Sequence, residues 1–206
     1  MSGEPPIAPF WDERYSQDGY IFGTAPNAFL KREGARLKPG GAVLAVADGE
    51  GRNGVWLAEQ GMKVHAVDAS PVALDKARKL AADRGVALDF EHADLTAWSW
   101  PEGRYDAVVA IFIQFASPPV RAAMFEGMKR ALKPGGLLLL EGYRPEQLEY
   151  KTGGPSQVEN LYDEALLRAA FSEMEIVDLK AYDAEIEEGP GHKGMSALID
   201  LVARKR

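Results

Sequence analysis

Cysteine is absent from this chain of 206 residues, and its absence excludes several kinds of chemistry at once. Without a thiol there is no disulfide, no thiolate metal ligand and no cysteine nucleophile. Long hydrophobic runs are also missing, since the most apolar stretch is residues 137–140. A helix that crosses a bilayer needs about 20 apolar residues. The sequence therefore predicts no membrane partner.

Positive charge is scarce as well. The chain carries 24 Lys and Arg against 31 Asp and Glu, a formal net charge of −7, and no large basic cluster. This balance argues against nucleic acid or an anionic membrane surface as a partner. Residues 1–15 lack the basic start and apolar stretch of a secretory signal. We therefore expect a cytoplasmic protein that binds no nucleic acid.

The length of the chain is typical of one domain with a sizeable core. We predict a single domain over residues 1–206, with an N-terminal helical lid or substrate segment over 1–40 and a sheet core over 41–206. From residue 42 onward, strand-like and helix-like stretches alternate. The predicted strands are 42–47, 63–68, 87–92, 105–112, 136–142, 174–187 and 195–204. The predicted helices are 52–60, 71–84, one starting near 119, and one near 162–171.

Alternation of this kind predicts an α/β fold, a doubly wound and mostly parallel seven-stranded sheet. The sequence LKPGG occurs at 37–41 and again at 132–136, and it is typical of a connection from a helix into a strand. Residues 189–194 form a short turn by composition, so the last two strands should pair as an antiparallel hairpin. Ligands of such folds bind at the carboxyl ends of the strands.

A glycine-rich turn follows the first predicted strand. Gly49, Gly51 and Gly54 match the G-x-G-x-x-G pattern of nucleotide-binding turns, although an ordinary tight turn also uses such glycines. Asp68 ends the second strand, about 20 residues after the first glycine. A carboxylate there accepts hydrogen bonds from the ribose hydroxyls of an adenosine cofactor, whereas the alternative is a solvated residue at a helix entry.

The acidic residues beside this turn bear on which adenosine cofactor it binds. A pyrophosphate requires bare amides and a positive helix terminus. Asp48 and Glu50 flank Gly49, and they oppose an anion but are compatible with a cationic sulfonium. The sequence therefore favours S-adenosylmethionine (SAM) over a nicotinamide dinucleotide.

Several motifs, in order along the chain, resemble those of class I SAM-dependent methyltransferases. They are residues 43–53 (VLAVADGEGRN), 67–68 (VD), 93–95 (ADL), 105–109 (YDAVV) and 132–136 (LKPGG). Residues 10–15 (FWDERY), 20–23 (YIFG), 145–148 (PEQL) and 152–155 (TGGP) resemble the small bacterial branch similar to tellurite-resistance and thiopurine methyltransferases.

The resemblance implies SAM as the cofactor and a Rossmann-like fold. It places the cofactor against Ala47, Asp48, Gly49, Gly51, Arg52, Asn53, Asp68, Ala69, Asp94, Leu95 and Ile111. Asp94 would reach the adenine amino group, or else would cap the following turn. One departure is Ala45, because the family usually has an acidic residue at the end of the first strand. Asp48 is a candidate to compensate for it.

Aromatic residues near the N-terminus are candidates for a lid over the sulfonium or the substrate, through cation–π attraction, or for ordinary core. These are Trp11, Tyr15, Tyr20 and Phe22. Phe112, Gln114 and Phe115 follow the fourth strand, on the side where substrate should lie. The predicted substrate residues are Trp11, Arg14, Tyr20, Phe115 and Tyr143.

Two polar side chains are catalytic candidates, although the catalytic group itself remains unknown. Gln114 either hydrogen-bonds substrate or faces solvent. His192 lies in the turn between the last two strands, so it either reaches the substrate at the cofactor-binding edge or stays exposed. A third residue, Arg52, stands at the positive end of a helix, which indicates a nearby anionic ligand or a salt bridge to Glu50.

The sequence thus predicts a SAM-dependent methyltransferase that acts on a small molecule, as a monomer or a homodimer and with no metal. The resemblance to the bacterial branch implies a thiol, selenium or tellurium nucleophile. Two alternatives remain, a SAM-binding regulatory protein without catalysis and an NAD(P)-dependent oxidoreductase.

Overall fold

A seven-stranded sheet organises the computed structural model, which describes residues 7–206. The strands lie in the order β3-β2-β1-β4-β5-β7-β6. Their bounds are β1 Ala42–Val46, β2 Lys63–Asp68, β3 Asp89–His92, β4 Tyr105–Ile111, β5 Leu132–Tyr143, β6 Glu175–Glu187 and β7 Lys193–Arg204. Strands β1 to β5 are parallel, and β7 is antiparallel to both β5 and β6. The predicted fold class is confirmed.

Helices cover both faces of the sheet. Their bounds are α1 Ile7–Tyr15, α2 Ala28–Glu33, α3 Arg52–Glu59, α4 Pro71–Asp83, α5 Pro118–Ala131, α6 Gln147–Tyr150 and α7 Glu164–Ala170. Side chains of α5 and α7 pack on one face with Leu44 of β1, and those of α2 and α3 pack on the other face with Val43 and Ala45. Strands β1, β2 and β4 are parallel, so their carboxyl ends lie at the same edge of the sheet. In folds of this kind, the loops that bind ligands begin at that edge.

Local sequence chemistry explains where the helices begin. Ser70 caps α4, because its hydroxyl oxygen accepts a hydrogen bond of 3.1 Å from the amide of Ala73, and Pro71 occupies the first turn. Asn27 caps α2 in the same way through the amide of Leu30. No helix of the described chain, residues 7–206, has the length and apolarity needed to cross a membrane.

The two LKPGG copies differ in one respect from the prediction. The copy at 37–41 is a turn before β1, whereas the copy at 132–136 belongs to the beginning of β5. Its Gly135 has φ of +77°, close to the +81° of Gly40, so both copies make the same left-handed turn. The second copy is part of β5 because Leu132 pairs with Tyr105 of β4. The register between the two strands then shifts before Ala107.

The last two strands form the predicted hairpin, but β7 lies between β5 and β6. Strand β6 therefore has the direction of the parallel strands while its neighbour is the antiparallel β7. The hairpin tip, residues 188–192, consequently lies at the edge of the sheet where β1, β2 and β4 end.

Candidate active site

A cleft opens at this edge of the sheet and is covered by the N-terminal segment and the hairpin tip. The carboxyl ends of β1, β2 and β4 form its floor. Its lining residues are Trp11, Tyr15, Phe22, Gly23, Ala47, Asp48, Gly49, Glu50, Arg52, Asn53, Asp68, Ala69, Asp94, Leu95, Ile111, Phe112, Phe115 and His192. All of the predicted cofactor residues except Gly51 are among them.

The three glycines of the turn have different physical roles. Gly49 has φ of +57°, and a Cβ there would lie 2.8 Å from the hydroxyl oxygen of Tyr15. A Cβ at Gly51 would instead lie 2.7 Å from the Cβ of Ala77 on α4, which explains why it does not line the cleft. A Cβ at Gly54 would collide with the carboxylate of Asp48, so glycine leaves space for that side chain. Only the first glycine therefore brings backbone to the cleft surface.

Asp68 holds the glycine turn against the end of β2. Its two carboxylate oxygens each accept a hydrogen bond of 2.8 Å, one from the amide of Gly49 and one from the amide of Ser70. The side chain is buried, and that burial raises its pKa. A carboxylate has about four lone-pair sites, so it can still accept a hydrogen bond from a hydroxyl such as that of a ribose. This arrangement fits an adenosine cofactor.

Asp48 caps helix α3 from inside the cleft. Its carboxylate accepts hydrogen bonds of 3.0 and 3.2 Å from the amide of Gly54. Desolvation raises its pKa to about 7, and the charge of Asp68 adds to the effect, although the side chain keeps partial contact with the cleft. Near neutral pH the carboxyl group is thus divided between its two protonation states.

Glu50 is buried and anchors the N-terminal segment. It forms a 2.9 Å ion pair with Lys76 and accepts a 2.7 Å hydrogen bond from the amide of Ile21. The sequence left open a salt bridge between Glu50 and Arg52. In the structure the partner of Arg52 is Glu188 instead, with 2.8 Å between Nη1 and Oε2.

The hairpin tip and residues 21–23 form a roof over the cleft, and we call these two segments the roof. The amide of Gly191 donates a 2.9 Å hydrogen bond to the carbonyl oxygen of Ile21. A Cβ at Gly189 would lie 2.4 Å from the amide nitrogen of Gly23, and one at Gly191 would lie 2.5 Å from the ring of Phe22. The two backbones therefore touch only because these positions are glycine.

Asn27 ties the roof to the sheet and to α3. Its side-chain amide contacts the carboxylates of Glu188 and Glu141, and its backbone amide donates a 3.0 Å hydrogen bond to the side chain of Asn53. Glu141 is buried at the end of β5 opposite Asp200 of β7, and burial together with that second carboxylate raises its pKa well above the usual range. The network therefore links the beginning of α2 to α3, to β5 and to the hairpin tip.

His192 is buried in the roof rather than exposed in the turn. Its ring lies 4.5 Å from the rings of both Phe22 and Phe112, measured between centroids, and 5.8 Å from that of Tyr143. Burial, together with the charges of Arg52 and Arg14, lowers the pKa of the imidazole to about 3. The side chain is neutral at physiological pH.

Gln114 lies behind the cleft and is occupied by backbone contacts. Its amide nitrogen donates to the carbonyl oxygens of Tyr143 and Asn160, at 2.9 and 3.1 Å, and its oxygen accepts a 2.6 Å hydrogen bond from the amide of Tyr143. The side chain is fully engaged in joining β4 to β5. As placed, it does not line the cleft.

The predicted substrate residues divide into two groups. Trp11 and Phe115 line the cleft, and the guanidinium of Arg14 lies 5.6 Å from the ring of Trp11. Tyr20 does not line the cleft; it lies against α4, and its hydroxyl donates a hydrogen bond to the carbonyl oxygen of Lys76. Tyr143 stacks on Phe112 at 4.6 Å and so supports the cleft wall from behind.

Two further points concern the cofactor side. Asp94 lines the cleft and also caps the following turn, because one oxygen accepts hydrogen bonds from the amide and hydroxyl of Thr96. The two alternatives for this residue are therefore compatible.

Ala45 is buried among α2 and α3 side chains, so the chain supplies no carboxylate from that position. The described residues contain no group of His, Cys, Asp and Glu able to hold a metal.

Comparison with known proteins gives consistent results. Residues 43–136 match the family model described as a methyltransferase domain. An uncharacterised methyltransferase of Synechocystis sp. is 32% identical over 118 residues, which cover 56% of this chain and 54% of that protein. The curated relatives that the chain matches are longer, and the chain spans between 21% and 54% of their length.

Solved structures share the whole fold. One, from work on the conversion of a disulfide bond into a thioacetal group during echinomycin biosynthesis, has a TM-score of 0.77 at 22% identity and covers 97% of this chain and 91% of its own. TehB from Haemophilus influenzae has a TM-score of 0.72 at 16% identity, over 96% of this chain and 66% of its own. Identities this low show a common fold. The match of residues 43–136 to a methyltransferase domain, together with the ordered motifs, supports the predicted resemblance to class I SAM-dependent methyltransferases, a family whose cofactor is SAM.

Proposed function

We propose that this protein transfers the methyl group of SAM to a small molecule. The observation that carries the proposal is the continuity of one cleft. The same cleft is lined by the glycine turn and Asp68 and by the rings of Trp11, Phe22, Phe112 and Phe115. A cofactor held by the turn would have its reactive group in the space that these rings also border.

The roof favours a small acceptor over a macromolecule. Backbone contacts between Ile21 and Gly191 close the cleft from above, and Phe22 packs against His192 beneath them. A protein or nucleic-acid chain would have to displace these contacts along its length. A small molecule needs only a transient opening of the roof, as in enzymes whose loops close over substrate.

The mechanism requires alignment more than acid–base chemistry. When bound, SAM supplies an electrophilic methyl group on a positively charged sulfur. Asp68 would fix the ribose end, Gly49 would allow close backbone approach, and the aromatic walls would exclude water and hold the acceptor in line. When both reactants are bound in such a geometry, much of the entropy cost of bringing them together has already been met by binding, so the barrier to methyl transfer is lower. No catalytic dyad is needed.

The acceptor is a soft nucleophile, a thiol or a selenium or tellurium species. This finer assignment is supported by the resemblance of residues 10–23 and 145–155 to the tellurite-resistance and thiopurine branch. It is also supported by a neighbour in fold whose described chemistry concerns sulfur. We propose in addition that the protein works in the cytoplasm, as a monomer or a homodimer.

Turnover with SAM labelled in the methyl group tests the proposal. The purified protein should transfer label to at least one member of a panel of thiols, selenols and tellurite. Tight binding of S-adenosylhomocysteine (SAH) without label transfer to any of them would favour the alternative, a regulatory SAM-binding protein. The missing carboxylate at Ala45 is the observation that keeps that second candidate open.

A further inference from the structure

A buried polar network lies behind the cleft, between α2 and the strands β5, β7 and β6. Glu141 of β5 and Asp200 of β7 stand directly opposite each other, and each has only 2% of its surface exposed. The hydroxyl of Tyr182 on β6 lies 3.5 Å from Oε1 of Glu141 and 3.3 Å from Oδ1 of Asp200. Two carboxyl groups that share a buried site do not readily both ionise, because like charges repel there. One of the two should therefore hold a proton.

The distribution of cations assigns this proton to Glu141. Arg32 of α2 forms an ion pair of 2.6 Å with Asp200 and one of 2.9 Å with Glu33. Arg36 forms a second pair with Glu33, at 2.6 Å. Within residues 7–206, Glu141 has no ion pair with any Lys, Arg or His side chain. A buried carboxylate without a cation is costly, so Glu141 is the member that stays neutral.

Asn27 connects Glu141 to the hairpin tip and the cleft. One hydrogen of its side-chain amide is directed to Oε2 of Glu141, and the other to Glu188, whose Oε1 lies 3.1 Å from the amide nitrogen. Glu188 in turn forms the 2.8 Å ion pair with Arg52, which lines the cleft beside the glycine turn. An unbroken series of contacts thus runs from Glu141 to a residue of the cleft.

Loss of the proton would disturb this series. In the neutral state of Glu141, the three carboxylates of Glu33, Asp200 and Glu188 are matched by the three guanidinium groups of Arg32, Arg36 and Arg52.

A fourth negative charge, on Glu141, would have no partner. Burial raises the pKa of Glu141 well above its usual range, and the charges of Asp200 and Glu188 add to the effect. Ionised Glu141 would repel Glu188 and so loosen the hairpin tip from Asn27 and Arg52.

We infer that Glu141 is a positioning residue, which holds a proton at neutral pH and in that neutral state keeps Glu188 and Arg52 in place at the cleft. The inference rests on the proposed function and adds to it a residue that does not line the cleft. A protonated carboxyl group donates its O–H to Asp200 and still accepts from Asn27, whereas a carboxylate only accepts. An amide can also donate and accept, so Glu141→Gln should preserve the contacts and remove the titration.

Infrared spectroscopy of protein with ¹³C in the side-chain carboxyl groups of glutamate tests the protonation without any cofactor. A protonated carboxyl group absorbs apart from a carboxylate, and the label separates glutamate from aspartate, including Asp48. We expect a band of protonated glutamate near neutral pH in the wild type, and its loss in Glu141→Gln.

Glu33→Gln is the matched control, because Glu33 is also buried in this network. Although burial opposes ionisation, the hydrogen bonds from Arg36 and Arg32 lower the pKa of Glu33. The band should therefore survive in Glu33→Gln. A wild type without the band, or a Glu141→Gln protein that retains it, would overturn the inference. The wild-type spectrum decides this even if a variant does not fold.

The dependence of SAH affinity on pH tests the positioning role. We expect wild-type affinity to fall from neutral to alkaline pH by about tenfold or more, the loss expected when a hydrogen bond to a charged group is broken. Glu141→Gln should bind SAH within about threefold of the wild type near neutral pH and should lose much less affinity in alkali. Asp48 and SAH itself titrate in both proteins, so the difference between the two pH profiles isolates Glu141.

Superimposable pH profiles for the wild type and Glu141→Gln would overturn the positioning role. So would an affinity of Glu141→Gln at neutral pH as low as that of the wild type in alkali. Failure of the proposed function shows separately, as absence of SAH binding at every pH, while the infrared band alone decides whether Glu141 holds the proton.

Discussion

Arg52 and Glu188 are 136 positions apart in the chain, and their side chains form an ion pair of 2.8 Å between Nη1 and Oε2. Both side chains are almost fully buried, with exposed fractions of 7% and 10%. Glu188 also accepts hydrogen bonds from the amide of Ala28 and the side chain of Asn27. The pair therefore fastens the hairpin tip to the beginning of α3, next to the glycine turn.

Glu188→Ala should destabilise the protein, because it leaves the Arg52 charge buried without a partner. Removing one member of a buried pair costs about 3 kcal/mol or more. Urea unfolding followed by circular dichroism measures the loss. The neighbouring Glu187→Ala is a matched control, since its pair with Lys193 is exposed to solvent and its removal should leave the midpoint nearly unchanged. Equal midpoints for the two variants would show that the buried pair does not fasten the roof.

Asp68→Ala should weaken SAH binding at least tenfold while the fold stays intact. The substitution removes a charged acceptor for ribose hydroxyls and also frees the amide of Gly49. A hydrogen bond to a charged group contributes roughly 1.5 to 3 kcal/mol. Calorimetry with SAH measures the change, and Asp89→Ala, at an exposed position of β3, is the control. Unchanged affinity in Asp68→Ala would show that this carboxylate only holds the amides of Gly49 and Ser70 and does not bind the ribose.

Asp48 makes the stability of the protein depend on pH. Its pKa in the folded state is about 7, above the usual value, so the folded state holds this proton more tightly than the unfolded chain does. The stability that the group contributes is present below about pH 4 and is lost as the pH rises through 7. Asp48→Asn should remove this dependence, so the stability gained over wild type should be larger at pH 8 than at pH 5. A pH-independent difference between the two proteins would contradict the assignment.

Gln114→Leu distinguishes a structural residue from a catalytic one. The change leaves the backbone groups of Tyr143 and Asn160 without their partners. Each buried group left unsatisfied costs roughly 1 to 3 kcal/mol. We expect a clear loss of unfolding free energy, measured in urea, with SAH affinity of the folded protein changed less than about threefold. Normal stability combined with lost turnover would instead support the catalytic alternative.

The N-terminal segment and residues 145–158 should respond to the cofactor. Segments that close over a site open when it is empty and become ordered when it fills. Hydrogen exchange in residues 10–23 and 145–158 should slow when SAH is added, while β1 and β4 change little. Deletion of residues 1–23 should leave a folded sheet and strongly reduced turnover. Full turnover by the shortened protein would show that the N-terminal segment is not a lid.

The sequence predicted best those parts of the site that are local in the chain. The glycine turn, Asp68 and Asp94 each follow a strand, and the carboxyl ends of parallel strands meet at one edge, so their convergence follows from the strand order. The start of α4 was predicted for a similar reason, since Ser70 and Pro71 act on their own helix. Such features depend on a few neighbouring residues.

Contacts between distant segments could not be predicted in the same way. The pairing of Arg52 with Glu188 rather than Glu50 depends on where the hairpin tip settles against α2. The insertion of β7 between β5 and β6 depends on whether β6 or β7 pairs better with the edge of β5. A short stretch of sequence does not contain that information. One signal for the roof was present, however: Gly189 and Gly191 lie in the turn where a Cβ would strike residues 22–23.

The most direct test of the central claim, that the cleft is a SAM site, is isothermal calorimetry of the purified protein with SAH and with NADH. We expect micromolar-scale affinity for SAH and far weaker binding of NADH, because Asp48 lies where a pyrophosphate would need bare amides. NADH binding as tight as SAH binding, or tighter, would contradict it.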